Sequence, residues 1–110
     1  MKSLEHCLER VSQTANIYYF LVEYKSGGNP TKPKNLIYAQ ETLGFYRSLP
    51  DDAQPEIWFY LEVIIDGKRF YAKKCLTEQD CERLIYDEQF TQEVKRNLRT
   101  GLASRLMLEP

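Results

Sequence analysis

The sequence contains one histidine and three cysteines among its 110 residues, which leaves few groups for nucleophilic catalysis or metal binding. His6 and Cys7 are adjacent, and neighbouring helical positions point about 100° apart, so they cannot form a base and nucleophile pair by themselves. His6, Cys7, Cys75 and Cys81 also lack the closely spaced ligand pairs that are typical of zinc sites. We therefore predict no catalytic residue, no metal site and no cofactor.

Long apolar runs are missing as well. The opening segment, MKSLEHCLERV, carries Glu5, Glu9 and Arg10 where a signal peptide needs an uninterrupted apolar stretch. No stretch approaches the length needed to span a bilayer, which predicts no membrane association through a spanning helix. An odd number of cysteines fits free thiols in a reducing compartment better than a disulfide framework. These absences predict a cytoplasmic protein.

The charge shows no excess of either sign. With 15 basic and 16 acidic residues, the net charge of −1 gives no general attraction to nucleic acid or to anionic membranes. The paired carboxylates, Asp51–Asp52 and Asp87–Glu88, lie in a proline-flanked loop and at a helix junction, where local structure explains them. SGGNP, residues 26–30, lacks the lysine and the strand-to-helix passage of a phosphate-binding loop. No motif therefore indicates hydrolysis or nucleotide binding.

The residues that are abundant point to a globular α+β protein. Eight tyrosines and a length of 110 residues fit one domain spanning residues 1–110 with extensive half-buried surface. Hydrophobic periodicity and turn residues predict alternating helices and strands along the chain. The predicted elements are a helix over 3–14, a strand over 16–25, a loop over 26–35, a helix or short strands over 35–49, a loop over 50–55, strands over 56–65 and 68–74, and a helix from 77. A further amphipathic helix is predicted from 90, with an apolar stripe that reaches Leu106 and with Gly101 as the position where it could break or end early. This order predicts a small antiparallel or mixed sheet flanked by helices.

The hairpin is the most informative segment. Asp66-Gly67 suits a two-residue turn, which fixes the register of the two strands. Because side chains alternate, one face is predicted to be the core face: Ile57, Phe59, Leu61, Val63, Ile65, Phe70 and Ala72. The opposite face is also apolar and aromatic, and it carries Trp58, Tyr60, Glu62, Ile64, Arg69, Tyr71 and Lys73. In the first strand, Ile17, Tyr19, Leu21 and Glu23 would extend this second face if the strand joins the same sheet.

That second face needs a cover, since soluble monomers seldom expose several hundred Å² of contiguous apolar surface. Three covers are possible: the chain's own segment 35–49, a partner protein or second copy, or a ligand stacked on the rings. Aromatic residues and arginine surrounded by charges are typical of interface centres. We therefore predict a non-enzymatic protein-interaction module or homodimer that acts as a regulatory or inhibitory partner. The predicted contact residues are Trp58, Tyr60, Ile64, Arg69, Tyr71, Tyr19 and Lys73.

Two basic groups support an alternative function. Basic residues among aromatics can bind nucleic acid by phosphate contacts and stacking. The residues concerned are Lys68, Arg69, Lys73 and Lys74 on the hairpin, and Lys95, Arg96 and Arg99 on the C-terminal helix. The helix–strand–strand–helix order resembles the double-stranded-RNA-binding domain, but that family's final helix opens with lysines, whereas residues 77–83 here are acidic. A small-molecule-binding protein or an enzyme without a recognisable motif is the third alternative.

Overall fold

The computed structural model describes residues 3–109, which form four α-helices and six strands. The helices are α1 (Leu4–Gln13), α2 (Ala39–Ser48), α3 (Glu78–Tyr86) and α4 (Glu88–Leu106). The strands are β1 (Ile17–Glu23), β2 (Lys25–Ser26), β3 (Asn29–Pro30), β4 (Lys34–Leu36), β5 (Glu56–Ile65) and β6 (Lys68–Leu76). The predicted α+β class with flanking helices is confirmed.

The main sheet has four strands in the order β4-β1-β5-β6, and every neighbouring pair is antiparallel. The predicted hairpin register is confirmed: Ile65 faces Lys68, and Val63 faces Phe70. β1 lies beside β5, so both faces of the hairpin continue onto a third long strand.

The hairpin reverses at Asp66-Gly67, as predicted. Their φ angles of 52° and 78° are both positive, which is the backbone geometry of a type I′ turn. Glycine adopts such an angle without a steric penalty, and aspartate tolerates it better than most residues. Arg10 of α1 also pairs with the Asp66 carboxylate at 3.0 Å, which ties the turn to the N-terminal helix.

The helices begin at side-chain caps. The Ser3 hydroxyl accepts a hydrogen bond from the His6 backbone N–H, and Thr77 accepts one from Asp80 in the same way. The Asp87 carboxylate accepts from the Phe90 N–H at 3.0 Å, so α4 begins at Glu88 rather than at the predicted Phe90. Such caps satisfy backbone donors that the first helical turn leaves free.

All four helices pack on the predicted core face of the sheet. Their buried side chains join those of β1, β5 and β6 in one apolar cluster. The hairpin's share of it is the predicted set, with Phe70 partly buried, and also Leu76, which was not predicted. Helix residues in the cluster include Val11 of α1, Leu43 of α2, Cys81 of α3 and Leu102 of α4. The sheet therefore has a helical layer on one side.

Three local predictions were incomplete or wrong. The segment predicted as a loop over 26–35 contains strands, because Gly27 and Gly28 take positive φ angles and close the small β2–β3 ribbon. Segment 35–49 contains both predicted alternatives, with the end of strand β4 followed by helix α2. Gly101 does not end α4, which continues to Leu106, because Leu102, Ala103 and Leu106 are buried in the core.

Candidate functional site

The second face of the sheet carries the predicted contact residues on its three long strands. We call this second face the aromatic face. Its cross-strand neighbours form rows that run across β1, β5 and β6. From one end of β5 to the other, these rows are Glu23–Glu56, Leu21–Trp58–Cys75, Tyr19–Tyr60–Lys73, Ile17–Glu62–Tyr71 and Ile64–Arg69. The sheet thus brings all seven predicted contact residues onto one surface.

The helices described in residues 3–109 leave this aromatic face uncovered. Helix α2, the internal cover considered for it, lies on the other side, where Leu43 enters the core and Phe45 makes an edge-on contact with Tyr24. The apolar core includes none of the aromatic-face side chains. Ile17 and Ile64 remain 46% and 48% exposed. The aromatic face is therefore open surface in the monomer.

Three tyrosines form the centre of the aromatic face. The rings of Tyr19 and Tyr60 stack with centroids 5.1 Å apart and planes 6° apart. Tyr71 meets Tyr60 edge-on, with centroids 6.3 Å apart and planes 88° apart. All three are only half-buried. Because stacked and edge-on contacts hold the rings in place, this surface is ordered in the folded chain.

Lys73 adds a positive charge above two of the rings. Its ammonium lies 4.8 Å from the centre of the Trp58 ring and 5.9 Å from that of Tyr60, within cation–π range. The predicted contact between Lys73 and Tyr60 is therefore present, and the Trp58 contact is shorter. The Trp58 indole N–H is buried and has no hydrogen-bond partner among residues 3–109. The only tryptophan of the chain thus reports directly on the state of this surface.

An ion pair lies beside the tyrosines. Arg69 pairs with Glu62 at 3.3 Å, and its guanidinium also donates a hydrogen bond to the Tyr71 hydroxyl at 3.4 Å. These contacts raise the pKa of Arg69 above its usual value, with the Tyr71 hydrogen bond as the main cause. Partial burial raises the pKa of Tyr19, and the Glu62 carboxylate adds to the effect. Tyr19 is therefore protonated at neutral pH and can donate a hydrogen bond.

The opposite end of the aromatic face is acidic. Glu23 and Glu56 face each other across β1 and β5, and both are exposed. No basic side chain of residues 3–109 pairs with either carboxylate. The two carboxylates also act on the neighbouring Cys75. Partial burial raises the pKa of its thiol, and the negative charges of Glu56 and Glu23 raise that pKa further. Like charges placed directly opposite on a sheet repel each other, so a cation bound at this end would stabilise the pair.

Six further residues of the aromatic face were not among the predicted contacts: Ile17, Leu21, Glu23, Glu56, Glu62 and Cys75. The alternation of side chains along a strand carries the signal for all of them. It assigned Ile17 and Leu21 to this side of the first strand. Extending the alternation by one further position on the same face, beyond Trp58 on β5 and beyond Lys73 on β6, reaches Glu56 and Cys75.

The basic residues of the nucleic-acid alternative are divided between two sides. Arg69 and Lys73 lie on the aromatic face, whereas Lys68 and Lys74 follow the alternation of the core face, and Lys95, Arg96 and Arg99 lie on α4. Several have intramolecular contacts. The Lys95 ammonium lies 4.9 Å from the centre of the Tyr18 ring, and Arg99 donates to the Tyr18 hydroxyl at 3.0 Å.

The remaining reactive groups are far apart or buried. His6 is exposed, whereas Cys7 is fully buried in the core, as its position on the predicted helical stripe indicated. Burial raises the pKa of Cys81 to about 11, so this thiol is protonated at neutral pH. Within residues 3–109, no group of three or more His, Cys, Asp or Glu side chains is arranged to hold a metal ion.

The helical side carries open grooves of about 520 Å³ along α3 and the start of α4 and of about 640 Å³ between α2 and α3. A smaller cleft lies near them. It has a volume of about 160 Å³ and is lined by residues that include Phe20, Tyr38, Phe59, Leu84 and Lys95. Pockets for drug-sized ligands usually hold about 300 to 1,000 Å³, so this one is small. None of the helices in the described part of the chain is both long and apolar enough to cross a membrane.

Comparison of the chain with protein-family models, with curated proteins and with solved structures gave no match. The functional argument therefore depends on the geometry of the aromatic face.

Proposed function

We propose that this protein is a non-enzymatic interaction domain, which docks on a folded protein surface through the aromatic face. The observation that carries the proposal is the position of the helices: all four lie on one side of the sheet and leave the tyrosines and Trp58 on the other side open. Burying such a surface against a partner removes apolar area from water, at about 25 cal/mol per Å².

The composition of the aromatic face supports this function. Tyrosine, tryptophan and arginine are the residues that contribute most to binding energy at protein interfaces. The ordered stack of Tyr19, Tyr60 and Tyr71 costs little conformational entropy on binding, because the rings are already in contact. Arg69 and Lys73 lie at its margin, where charges set orientation and partner choice.

The edges of the sheet support docking on the face rather than addition of a strand. β6 is a long edge strand, but it carries several lysines and Arg69, and Arg105 of α4 donates a hydrogen bond to the outward carbonyl of Tyr71. The other edge strand, β4, has only three residues. Charged side chains and short strands are the usual means of preventing edge pairing. A partner therefore gains more contact from the aromatic face.

The reactive groups give catalysis less support. The Cys81 thiol is protonated at neutral pH, and the exposed Cys75 thiol also has a raised pKa, so neither is an activated nucleophile. We propose that the protein acts by protein–protein association through the aromatic face, as a homodimer or an interaction module that serves as a regulatory or inhibitory partner. We also place it in the cytoplasm, where its three free cysteines remain reduced.

The test compares three proteins: wild type, Tyr60→Glu on the aromatic face, and Arg96→Glu on the exposed side of α4 as the control. We expect wild type and the control to associate, either with themselves in light scattering or with a protein retained in an affinity capture. Tyr60→Glu should remain folded by circular dichroism but lose that association. The proposal is wrong if no association of either kind depends on Tyr60, and salt-sensitive binding of RNA or DNA oligomers would favour the nucleic-acid alternative instead.

A further inference from the structure

We infer that the occupant of the aromatic face is a second copy of this chain, packed sheet against sheet about a two-fold axis near Tyr60. This inference rests on the proposed function and adds the identity and the arrangement of the partner. It is supported by three properties of the aromatic face: the symmetry of its charges, the unpaired carboxylates at one end, and its area.

The charges at the two ends of the aromatic face are complementary to each other, whereas Lys73, which lies opposite Tyr60, meets Lys73 of the second copy near the axis. Glu56 and Ile64 each lie four residues from Tyr60, in opposite directions along β5, and Arg69 faces Ile64 on β6. The two-fold axis lies between the two sheets, parallel to them and perpendicular to the strands, and passes above Tyr60. Rotation about this axis exchanges the two ends of the aromatic face. Each copy's Glu56 then lies over the partner's Ile64–Arg69 pair, and the contact occurs twice because the interface is isologous.

The acidic end of the aromatic face offers two carboxylates that have no ion-pair partner within residues 3–109. Glu23 and Glu56 are directly opposite each other, exposed, and without a basic partner within the described residues. Arg69 of a second copy would provide a positive charge there, since its side chain is 59% exposed and its guanidinium has five N–H donors to share between Glu62 and a further carboxylate. The net charge of −1 also means that two copies repel each other little.

The area of the aromatic face matches a weak dimer. β5 has ten residues. β1 has seven residues and β6 has nine, so at about 3.3 Å per residue and about 4.8 Å between strands the three strands cover about 400 Å² per copy in flat projection. Because protruding side chains add to the flat area, two copies together bury roughly 1,000 Å² of accessible surface. This value is the lower limit for a specific interface. We expect a dissociation constant in the micromolar range, so the dimer should form with increasing concentration.

The experiment uses two charge-reversal variants. Each variant alone should dimerise poorly, whereas an equimolar mixture of the two should dimerise. In homodimers of Glu56→Arg, two arginines meet at each end of the interface, and in homodimers of Arg69→Glu, two glutamates meet there. In the mixed dimer of the two variants, the arginine introduced at position 56 of one chain meets the glutamate introduced at position 69 of the other, and the unchanged Arg69 and Glu56 meet at the opposite end. Both ends then bring opposite charges together, so mixing should restore association in the expected register. Sedimentation equilibrium should show each variant associating at least about tenfold more weakly than wild type, with the equimolar mixture stronger than either variant alone.

Two control variants carry the corresponding charge reversals on the helical side of the sheet, away from the proposed interface. Glu93→Arg and Arg96→Glu reverse the same charges at exposed positions of α4 and should dimerise like wild type. Fluorescence of Trp58, the only tryptophan, should change with concentration in step with dimer formation.

The outcomes separate the inference from the proposed function. If wild type stays monomeric at the highest concentration, or if the mixed variants do not recover, the symmetric dimer is wrong. The proposed function survives that result if Tyr60→Glu still abolishes the capture of another protein. If wild type dimerises and Tyr60→Glu dimerises equally well, the aromatic face is not the dimer interface and the inference is wrong. The proposed function is wrong as well if the capture of another protein is also independent of Tyr60.

Discussion

Tyr19 and Tyr60 lie directly opposite each other on neighbouring strands, and their rings stack in parallel with centroids 5.1 Å apart. Such a pair on the buried side of a sheet would be ordinary core packing. Here it lies on the side away from the four helices and outside the apolar core. The position of the stack, rather than its chemistry, makes it a candidate for recognition.

The two faces of β5 should differ in their contribution to stability. Leu61 is fully buried, so Leu61→Ala should lower the free energy of unfolding by about 2 to 5 kcal/mol through lost burial and a cavity. Ile64 lies on the aromatic face and is 48% exposed, so Ile64→Ala should cost less than about 1 kcal/mol. Urea unfolding at low protein concentration measures both values. Equal losses would contradict an open aromatic face.

The turn at Gly67 should tolerate no side chain without a penalty. Its φ angle of 78° places an L-residue in the left-handed region, so Gly67→Ala should lower the free energy of unfolding by about 1 to 2 kcal/mol. Gly44→Ala is the matched control, because an added Cβ in α2 has no atom within 4 Å. Alanine favours a helix more than glycine does, so the control should gain about 0.5 to 1 kcal/mol in thermal or urea unfolding. Opposite signs for the two variants are the expected result.

One thiol of the folded protein should react before the others. Cys75 is exposed on the aromatic face, whereas Cys7 and Cys81 are buried, so a thiol reagent should modify Cys75 first and the others after unfolding. Partial burial, Glu56 and Glu23 raise the pKa of Cys75, so its rate should reach half-maximum above the usual thiol pKa of about 8.5. Glu23→Gln should shift that curve to lower pH, measured in dilute protein. A Cys75→Ser variant with an equally rapid reaction would contradict this assignment.

The junction between α3 and α4 should respond to acid. The pKa of Asp87 is lowered, first by the hydrogen bond from the Phe90 N–H and then by Arg83. Because the folded-state pKa lies below the unfolded one, its stabilising contribution is complete above the usual pKa of about 4 and is lost as pH falls through the folded value. Asp87→Asn can keep the cap but removes the charge, so its unfolding temperature should depend less on pH in this range. Asp87→Ala should lower the unfolding temperature at neutral pH as well. An unchanged acid response in both variants would contradict this role for Asp87.

The predictions from the sequence succeeded where the signal was local. The Asp66-Gly67 turn fixed the pairing of its two strands, and alternation then assigned each side chain to a face. They were weaker over residues 26–35, where glycine and proline indicated a loop but the backbone closes a short ribbon. Gly101 was misread because its low helix propensity is outweighed by burial of the neighbouring Leu102 and Leu106.

The amino-acid sequence by itself determined that the hairpin has two apolar faces, because a strand period of two residues sorts side chains without knowledge of the rest of the fold. It could not determine which face each helix covers, since a helix reaches the sheet through connections that permit either side. Only the tertiary structure decided that α2 packs with the other three helices and that Glu23, which is 33 positions from Glu56 in sequence, lies opposite it. Long-range packing thus leaves the aromatic face open and places two like charges at its end.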